Sequence, residues 1–195
     1  MGMIMPQNDD RMRQLFKRFN KFMVGMWRLG WGKWINLWPG GTGQIMVLIH
    51  TGRKSGKTYR TPVNYAENEG LLYCTAGFGS HSDWAQNIMA NPEVEVWLPD
   101  GWWKAVAESA EDDPNRLALL RKVLAASGFA AHAAGVDPVE MDDQVLEEAV
   151  RDYTLFRVTR TEACTGQGGP GDLSWIWPLA SFVLLFTLVL RRRRR

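Results

Sequence analysis

The chain has 195 residues, of which 46% are hydrophobic and 23% are charged, so it can bury one medium-sized core. The net charge of +2 is unevenly distributed: residues 1–38 carry +5, residues 161–195 carry +3, and the middle carries −6. The acidic middle argues against nucleic-acid binding, and the basic ends favour an anionic surface such as a membrane. Two cysteines outside any CxxC pattern, and three histidines without ligand spacing to them, exclude a disulfide framework and a zinc site.

The N-terminal region, residues 1–38, is predicted to be a basic amphipathic helix, because apolar residues recur every three or four positions between Lys and Arg. Four tryptophans, at positions 27, 31, 34 and 38, enrich its second half. Such a helix can pack on the domain through its apolar stripe or lie on an anionic bilayer. The sequence leaves both alternatives open.

The body, residues 39–162, contains six strand-like stretches, and the turn signals between them predict antiparallel hairpins. We expect the strands near residues 44–50, 60–66, 70–76, 93–98, 102–109 and 153–160. Helices are expected near residues 115–126 and 141–151. Because strands and helices do not alternate regularly, the pattern favours a small α+β barrel over a doubly wound sheet.

The C-terminal region is predicted to be a membrane anchor. Residues 163–172 form a glycine-rich linker that we expect to be flexible, and residues 173–190 contain no charge. The arginines at 191–195 and the tryptophans at 175 and 177 suit the two boundaries of a bilayer, so residues 173–195 are predicted to be an anchor helix. Whether this segment crosses the bilayer or dips into it stays open. We expect a membrane-associated protein whose catalytic domain is cytoplasmic.

A basic loop follows the first strand, in the stretch "IHTGRKSGKT" at residues 49–58. A nucleotide-triphosphate loop would need glycine at position 51, where Thr51 stands, and a helix after Thr58, where the pattern of a strand continues instead. The NTPase interpretation therefore fails. A turn with several cations can bind an anion through its side chains and backbone N–H groups, or it can be a solvated hairpin.

A second unusual stretch is "TAGFGSHSDW" at residues 75–84. Its two glycines would let the backbone approach a flat ligand closely, but Ser82 stands where a dinucleotide fingerprint needs a third glycine. His81 and Asp83 could serve acid–base chemistry. The commoner role is structural, with Ser82 or Asp83 capping a helix over residues 84–89.

Together, the turn "TGRKSGK…R" and the later pattern A-x-G…W…N…NP-x-V-x-V resemble the deazaflavin-dependent nitroreductase family. The resemblance covers about residues 19–162 and is densest at residues 51–62 and 75–98. It implies the split β-barrel fold that this family shares with flavin-nucleotide oxidases. It also implies coenzyme F-420, an 8-hydroxy-5-deazaflavin with an anionic tail of phosphate and glutamates, as a hydride donor to a quinone or nitro acceptor.

Matched by position, the residues implied to bind the cofactor fall into two groups. Those at the anionic tail are Arg53, Lys54, Ser55, Gly56 and Arg60, and those around the ring are Ala76, Gly77, Phe78, Gly79, Trp84 and Asn87. The loop from Gly79 to Trp84 is shorter than in the nitroimidazole-reducing members and lacks their extra lysine, which argues against nitro-drug reduction.

The catalytic chemistry needs no triad or metal, because a reduced deazaflavin carries the hydride itself. The candidate proton donors are Tyr65, Tyr153 and His132, and the sequence does not choose among them. A membrane anchor favours a lipid-soluble quinone as the acceptor. The alternatives are the same barrel with FMN and a non-catalytic, membrane-bound carrier of an anionic cofactor or lipid; a homodimer is also compatible.

Overall fold

The structure is a computed structural model that describes residues 8–37, 43–77, 79 and 82–193. Side chains are described from residue 18 onward and as far as residue 192. Trp38, Phe78 and His81 therefore lie outside the described residues, as do residues 1–7 and the last two arginines.

The described strands close into an antiparallel barrel in the order β1-β2-β3-β6-β5-β4. They are β1 (Ile45–Thr51), β2 (Thr58–Asn68), β3 (Leu71–Ala76), β4 (Glu93–Leu98), β5 (Gly101–Ser109) and β6 (Thr154–Ala163). The prediction of a small α+β barrel built from antiparallel hairpins is confirmed.

The helices lie outside the barrel or across its end. They are α1 (Asn8–Arg28), α2 (Gly32–Ile35), α3 (Asp83–Ala90), α4 (Arg116–Ala125), α5 (Phe129–Ala133), α6 (Asp143–Ala149) and α7 (Ile176–Arg193). Helix α4 packs on β2 and β3, and α3 packs on β1 and β5. The predicted helices near 115–126 and 141–151 are thus present as α4 and α6, whereas α5 was not predicted.

Strand β1 explains why the run before the basic loop is continuously apolar. Met46 and Leu48 point into the barrel core, whereas Val47 and Ile49 point outward and pack with Trp27 of α1. A strand alternates its side chains between two faces, so burial on both faces removes the polar half of the pattern. The apolar stripe of α1 is therefore partly used to cover the barrel.

The predicted single N-terminal helix is interrupted after α1, and the physical reason is Gly30. Its φ of +86° is a left-handed conformation that ends the helix. The N–H of Trp31 donates to the carbonyl of Met26, and the N–H of Gly30 donates to the carbonyl of Trp27, which together form a Schellman motif. Helix α2 then starts in a new direction at Gly32.

The glycine-rich segment, residues 163–172, differs from the flexible linker that we expected. We call it the strap, because it lies against the barrel and α1. Gly169 is buried so closely on Trp102 that a Cβ there would lie 2.6 Å from the indole ring. Beyond it, Gly171 N–H donates to the carbonyl of Trp27 at 2.9 Å, and Asp172 pairs with Arg28 at 2.7 Å. At Gly169, glycine therefore permits close packing on the indole ring.

Helix α7 follows the strap and is exposed along its described length. Its apolar residues include Phe182, Leu185 and Leu188, each more than half exposed. Within the described part of the chain, no helix combines the length and the hydropathy that crossing a bilayer requires. The predicted segment is helical over Ile176–Arg193, and its role as an anchor stays a prediction.

Gly32 and Gly25 give a matched test of the packing between Trp27 of α1 and the start of α2. A Cβ at Gly32 would lie 2.2 Å from the Trp27 ring, which is only 1% exposed and cannot move away freely. We expect Gly32→Ala to lower the free energy of unfolding by about 1–3 kcal/mol. At Gly25, a Cβ would meet nothing within 4 Å, so Gly25→Ala should raise stability by up to about 1 kcal/mol.

Urea unfolding of both variants measures this difference. Equal stability of the two would show that Trp27 is not packed against α2 in solution.

Candidate functional site

The basic loop between β1 and β2 is a tight, well-bonded turn. Gly52 N–H donates to the carbonyl of Lys57 at 2.8 Å, and Gly56 N–H donates to the carbonyl of Gly52 at 2.8 Å. Gly56 has a φ of +65°, and a Cβ at Gly52 would lie 2.5 Å from the Tyr59 ring. Both glycines are therefore required by the turn itself. Ser55 contributes as well, since its hydroxyl lies 3.2 Å from that of Tyr59.

Arg53 is directed from this turn toward helix α3. Its backbone N–H and its Nη1 both donate to Oδ1 of Asn87, at 3.0 Å and 2.9 Å. Its Nη2 pairs with Asp83 at 3.2 Å and also contacts Gln86. The guanidinium thus joins the turn to α3.

The other cations of the stretch point elsewhere. Lys54 and Lys57 are exposed, and neither has an ion pair with any side chain that the structure describes. Arg60 lies opposite Ile49 in the β1–β2 ladder, and its guanidinium sits over the Trp97 ring at 5.4 Å. Alternation along β2 puts Arg60 on the α1 side of the barrel, so the three cations predicted to bind the tail lie in three different surroundings. Lys57, which was not predicted to bind the tail, lies beside Lys54 on the turn.

The segment after β3 brings two predicted ring-binding glycines against the start of β6. Gly79 has a φ of +55°, and a Cβ there would lie 2.2 Å from the carbonyl oxygen of Asp152. A Cβ at Gly77 would lie 3.5 Å from the Tyr153 ring and 3.7 Å from its hydroxyl oxygen. Close approach is therefore a requirement of the fold at Gly79. Ala76, at the end of β3, is buried in the core.

Helix α3 carries the last two predicted ring-binding residues. Trp84 is half-buried and lies against Phe156, with ring centroids 5.4 Å apart. Asn87 is buried and binds Arg53 through its oxygen, while its nitrogen lies 3.2 Å from Nδ1 of His50. Ser82 occupies the position before the helix, but its hydroxyl makes no capping bond.

The three candidate proton donors lie in different surroundings. Tyr65 is buried within the barrel core, and this burial raises the pKa of its hydroxyl to about 12. Tyr153 is half-buried beside Gly77, and burial raises its pKa as well. His132 is exposed on α5 and pairs with Asp137 at 3.5 Å. Among these three, Tyr153 is the one whose hydroxyl lies next to a residue predicted to line the deazaflavin.

His50 is a site residue that the sequence analysis did not single out. It is only 3% exposed, its Nε2 lies 3.0 Å from the Thr61 hydroxyl, and its ring stacks on Tyr59. The available signal was a histidine within an apolar strand directly before the basic turn. Its partner Asn87 lies 37 positions later in the chain, so no local pattern could reveal the pair.

The residues present fit an anionic cofactor and do not suggest a metal. Two exposed lysines without ion pairs on a glycine turn leave positive charge available to a phosphate or carboxylate. Within the described residues, no group of three or more His, Cys, Asp or Glu side chains could hold a metal ion. The lysine pair therefore suits the tail of F-420.

Comparison with known proteins supports this assignment. Residues 21–144 match the family model described as F420H(2)-dependent quinone reductase. No curated protein matches the sequence.

Several solved structures share weaker similarity. An F420-H2 dependent reductase (FDR-A) is 24% identical, with 59% of this chain and 93% of that chain covered at a TM-score of 0.45. An F420 reductase is 18% identical, covering 63% and 90% at a TM-score of 0.41. A conserved hypothetical protein from Mycobacterium tuberculosis is 17% identical, covering 65% and 87% at a TM-score of 0.42.

These structural similarities are too weak to add to the assignment, which depends on the family model. That model begins within α1, ends at the start of α6, and includes the basic turn, the glycine segment and α3. The chain belongs to the F420H(2)-dependent quinone reductase family, and it is an oxidoreductase whose cofactor is coenzyme F-420.

Proposed function

We propose that this protein reduces a quinone with reduced F-420 at the surface of a membrane. The observation that carries the proposal is that Lys54 and Lys57, on a hydrogen-bonded turn within the region matched by the family model, have no ion pair with any described side chain. An anionic cofactor tail bound there would lie near α3, which contacts β1 and is joined to the turn through Arg53.

The chemistry divides between the cofactor and the chain. When bound, reduced F-420 supplies a hydride. Reduction of a quinone to a hydroquinone needs one hydride and one proton, and the Tyr153 hydroxyl beside Gly77 is placed to provide the proton. Burial raises the pKa of Tyr153 and so keeps it protonated at neutral pH, which is the state a donor needs.

The alternatives from the sequence differ in simple observables. FMN would show its own absorbance spectrum in the purified protein. A non-catalytic carrier would bind F-420 without oxidising it in the presence of any acceptor. A nitro compound as the preferred acceptor would be reduced faster than a quinone at equal concentration.

Reduced F-420 mixed with the protein and a short-chain quinone should be oxidised, and reduced nicotinamide should not replace it. We expect Tyr153→Phe to lower kcat on the order of 100-fold while leaving the Kd for F-420 unchanged, because the ring beside Gly77 remains. Stopped-flow absorbance measures both quantities.

Tyr73→Phe is the matched control, because Tyr73 is buried in the same hydrophobic cluster against which Tyr153 packs. Turnover of Tyr153→Phe at the wild-type rate would remove Tyr153 as the donor. Failure to oxidise reduced F-420 with every quinone would overturn the proposed reaction.

The membrane part of the proposal depends on apolar side chains that are exposed all around helix α7. Residues 182–186 are all more than half exposed, and five successive helical residues point in all directions around the axis. A protein partner would cover one stripe, whereas lipid can surround an apolar helix. Arg191 and Arg192 follow the apolar part and suit anionic headgroups.

Exposed tryptophans surround the place where the two ends of the chain meet. Trp31 and Trp177 lie 5.8 Å apart, and the Trp177 indole donates to the carbonyl of Leu29 at 2.9 Å. Trp34 and Trp175 are exposed on the same two segments. Tryptophan favours the boundary between headgroups and hydrocarbon, so we propose that this tryptophan group rests there.

The strap would hold the barrel at a defined position on that surface. Arg28 and Asp172 form a two-point ion pair, in which Nε and Nη2 both donate to the carboxylate. We propose that the barrel lies on the cytoplasmic side, whose leaflet is negatively charged.

Charged substitutions on α7 test the membrane proposal without disturbing the core, because Phe182 and Phe186 are exposed. We expect the double variant Phe182→Glu/Phe186→Glu to bind vesicles that contain phosphatidylglycerol about 10- to 100-fold more weakly, as measured by co-sedimentation. The same variant should lose activity toward a long-chain quinone in vesicles and keep it toward a short-chain quinone.

Val139→Glu is the control, because Val139 is 80% exposed and lies outside α7. Equal vesicle binding by all three proteins would overturn the membrane proposal. A change of oligomeric state of the double variant in the absence of vesicles, with vesicle binding retained, would assign α7 to contacts between copies of the chain instead.

A further inference from the structure

The buried contacts of His50 and Asn87 determine the proton arrangement of both side chains. The backbone N–H and the guanidinium of Arg53 can only donate, so the group of Asn87 that faces them at 3.0 Å and 2.9 Å must be its oxygen. The amide nitrogen of Asn87 then faces His50 Nδ1 at 3.2 Å and donates to it.

It follows that His50 carries its proton on Nε2. Nδ1 accepts from Asn87 and so has no proton, which leaves Nε2–H to donate to the Thr61 hydroxyl at 3.0 Å. Burial lowers the pKa of His50 to about 4, which keeps the ring neutral at physiological pH. The described groups that face it are Asn87 of α3 and Thr61 and Tyr59 of β2, and none of these is a carboxylate, an amine or a guanidinium.

In this arrangement, the donors of Arg53 bind acceptors of the protein itself. Its donors are directed to Asn87, Asp83 and Gln86 on α3, so its fork-shaped cation bridges the turn and the helix. Lys54 and Lys57, on the same turn, stay exposed. Arg53 therefore has a structural role, whereas the two lysines are available to bind an anion.

We propose that His50 and Asn87 are positioning residues for F-420: neutral His50 orients the Asn87 amide, and Asn87 holds Arg53 so that the turn presents its two lysines to the anionic tail. This inference depends on the proposed function for the identity of the ligand. It assigns Asn87 and Arg53 an inward role in place of the direct cofactor contact that the resemblance implied. It also connects the tail-binding turn to α3, the helix that follows the Gly77 segment.

Asn87→Asp tests the positioning role, because it keeps the bonds to Arg53 and changes the bond to His50. An aspartate still accepts from Arg53, but it cannot donate to Nδ1, so it favours a His50 that is protonated at Nδ1. We expect the titration of His50, followed by NMR, to move to higher pH by at least about one unit, because an anionic partner favours the charged ring.

The affinity for F-420 should then depend on pH in the variant only. The wild type should bind F-420 with a nearly constant Kd between about pH 5 and pH 8, since its His50 is mainly neutral there. The Asn87→Asp protein should bind more weakly as pH rises through the raised pKa of His50, because the ring then loses the positive charge that it adds beside the turn that binds the anionic tail.

Asn87→Leu removes both functions of the amide. We expect it to raise the Kd for F-420 by about 10-fold or more, because Arg53 loses two hydrogen bonds that hold the turn. A deazaflavin that lacks the phosphate and glutamates should bind as it does to the wild type. A folding defect would weaken both ligands alike, so the ratio of the two Kd values separates positioning from loss of structure.

Asn64→Asp is the matched control, because Asn64 is a partly buried asparagine on β2 whose nitrogen donates to the Gln44 carbonyl at 3.2 Å, three residues along the strand from Thr61. Its Kd for F-420 should be as independent of pH as that of the wild type. A flat pH profile for Asn87→Asp, or an unmoved His50 titration, would overturn the proposal.

The NMR measurement needs no cofactor and so tests the His50–Asn87 arrangement by itself. Absence of F-420 binding by the wild type at any pH, with the expected His50 tautomer and its shift in Asn87→Asp both observed, would overturn the identity of the ligand and with it the positioning role.

Discussion

Burial of strand β1 on both faces is the constraint on which the rest of the structure depends. Its inward side chains fill the barrel, and its outward side chains support α1 through the contact with Trp27. The same strand pairs with β2 and with β4, so it closes the barrel. Because both faces are packed, β1 is held by contacts on two sides, and it sets where the basic turn after Thr51 begins.

Two elements in contact with β1, strand β2 and helix α3, hold the basic turn of the functional site. The β1–β2 ladder sets the ends of the turn, and α3 sets its tilt through Arg53 and Asn87. A planar guanidinium with several directed donors suits this bridging role, whereas a lysine is a mobile point charge that can follow a flexible anionic tail. The chemistry of the two cation types thus explains why Arg53 joins the turn to α3 while the lysines extend into solvent.

The two ends of the chain are joined through Trp27 and its neighbours. The ring of Trp27 packs on Trp97 of the barrel, and its carbonyl accepts from the strap at Gly171. Arg28, the next residue, pairs with Asp172. A segment that composition alone marks as flexible is therefore ordered, because glycine lets a backbone approach an indole ring more closely than any other residue could.

The sequence by itself determined the features that depend on neighbouring residues. Alternating and apolar runs predicted the strands, and the misplaced glycine before Gly56 excluded a nucleotide-triphosphate loop. The order of the two motifs indicated the family that the comparison then showed. The break at Gly30 was missed, because the apolar spacing continues on both sides of it.

Only the tertiary structure decided which distant residues meet. Arg28 and Asp172 are 144 positions apart, and the close approach of Gly79 to Asp152 depends on how β3 pairs with β6. The roles of His50, Asn87 and Arg53 belong to the same class. A hydrogen bond forms only where the donor–acceptor distance is right to within a few tenths of an ångström. Closure of the barrel sets these distances between segments that share no local pattern.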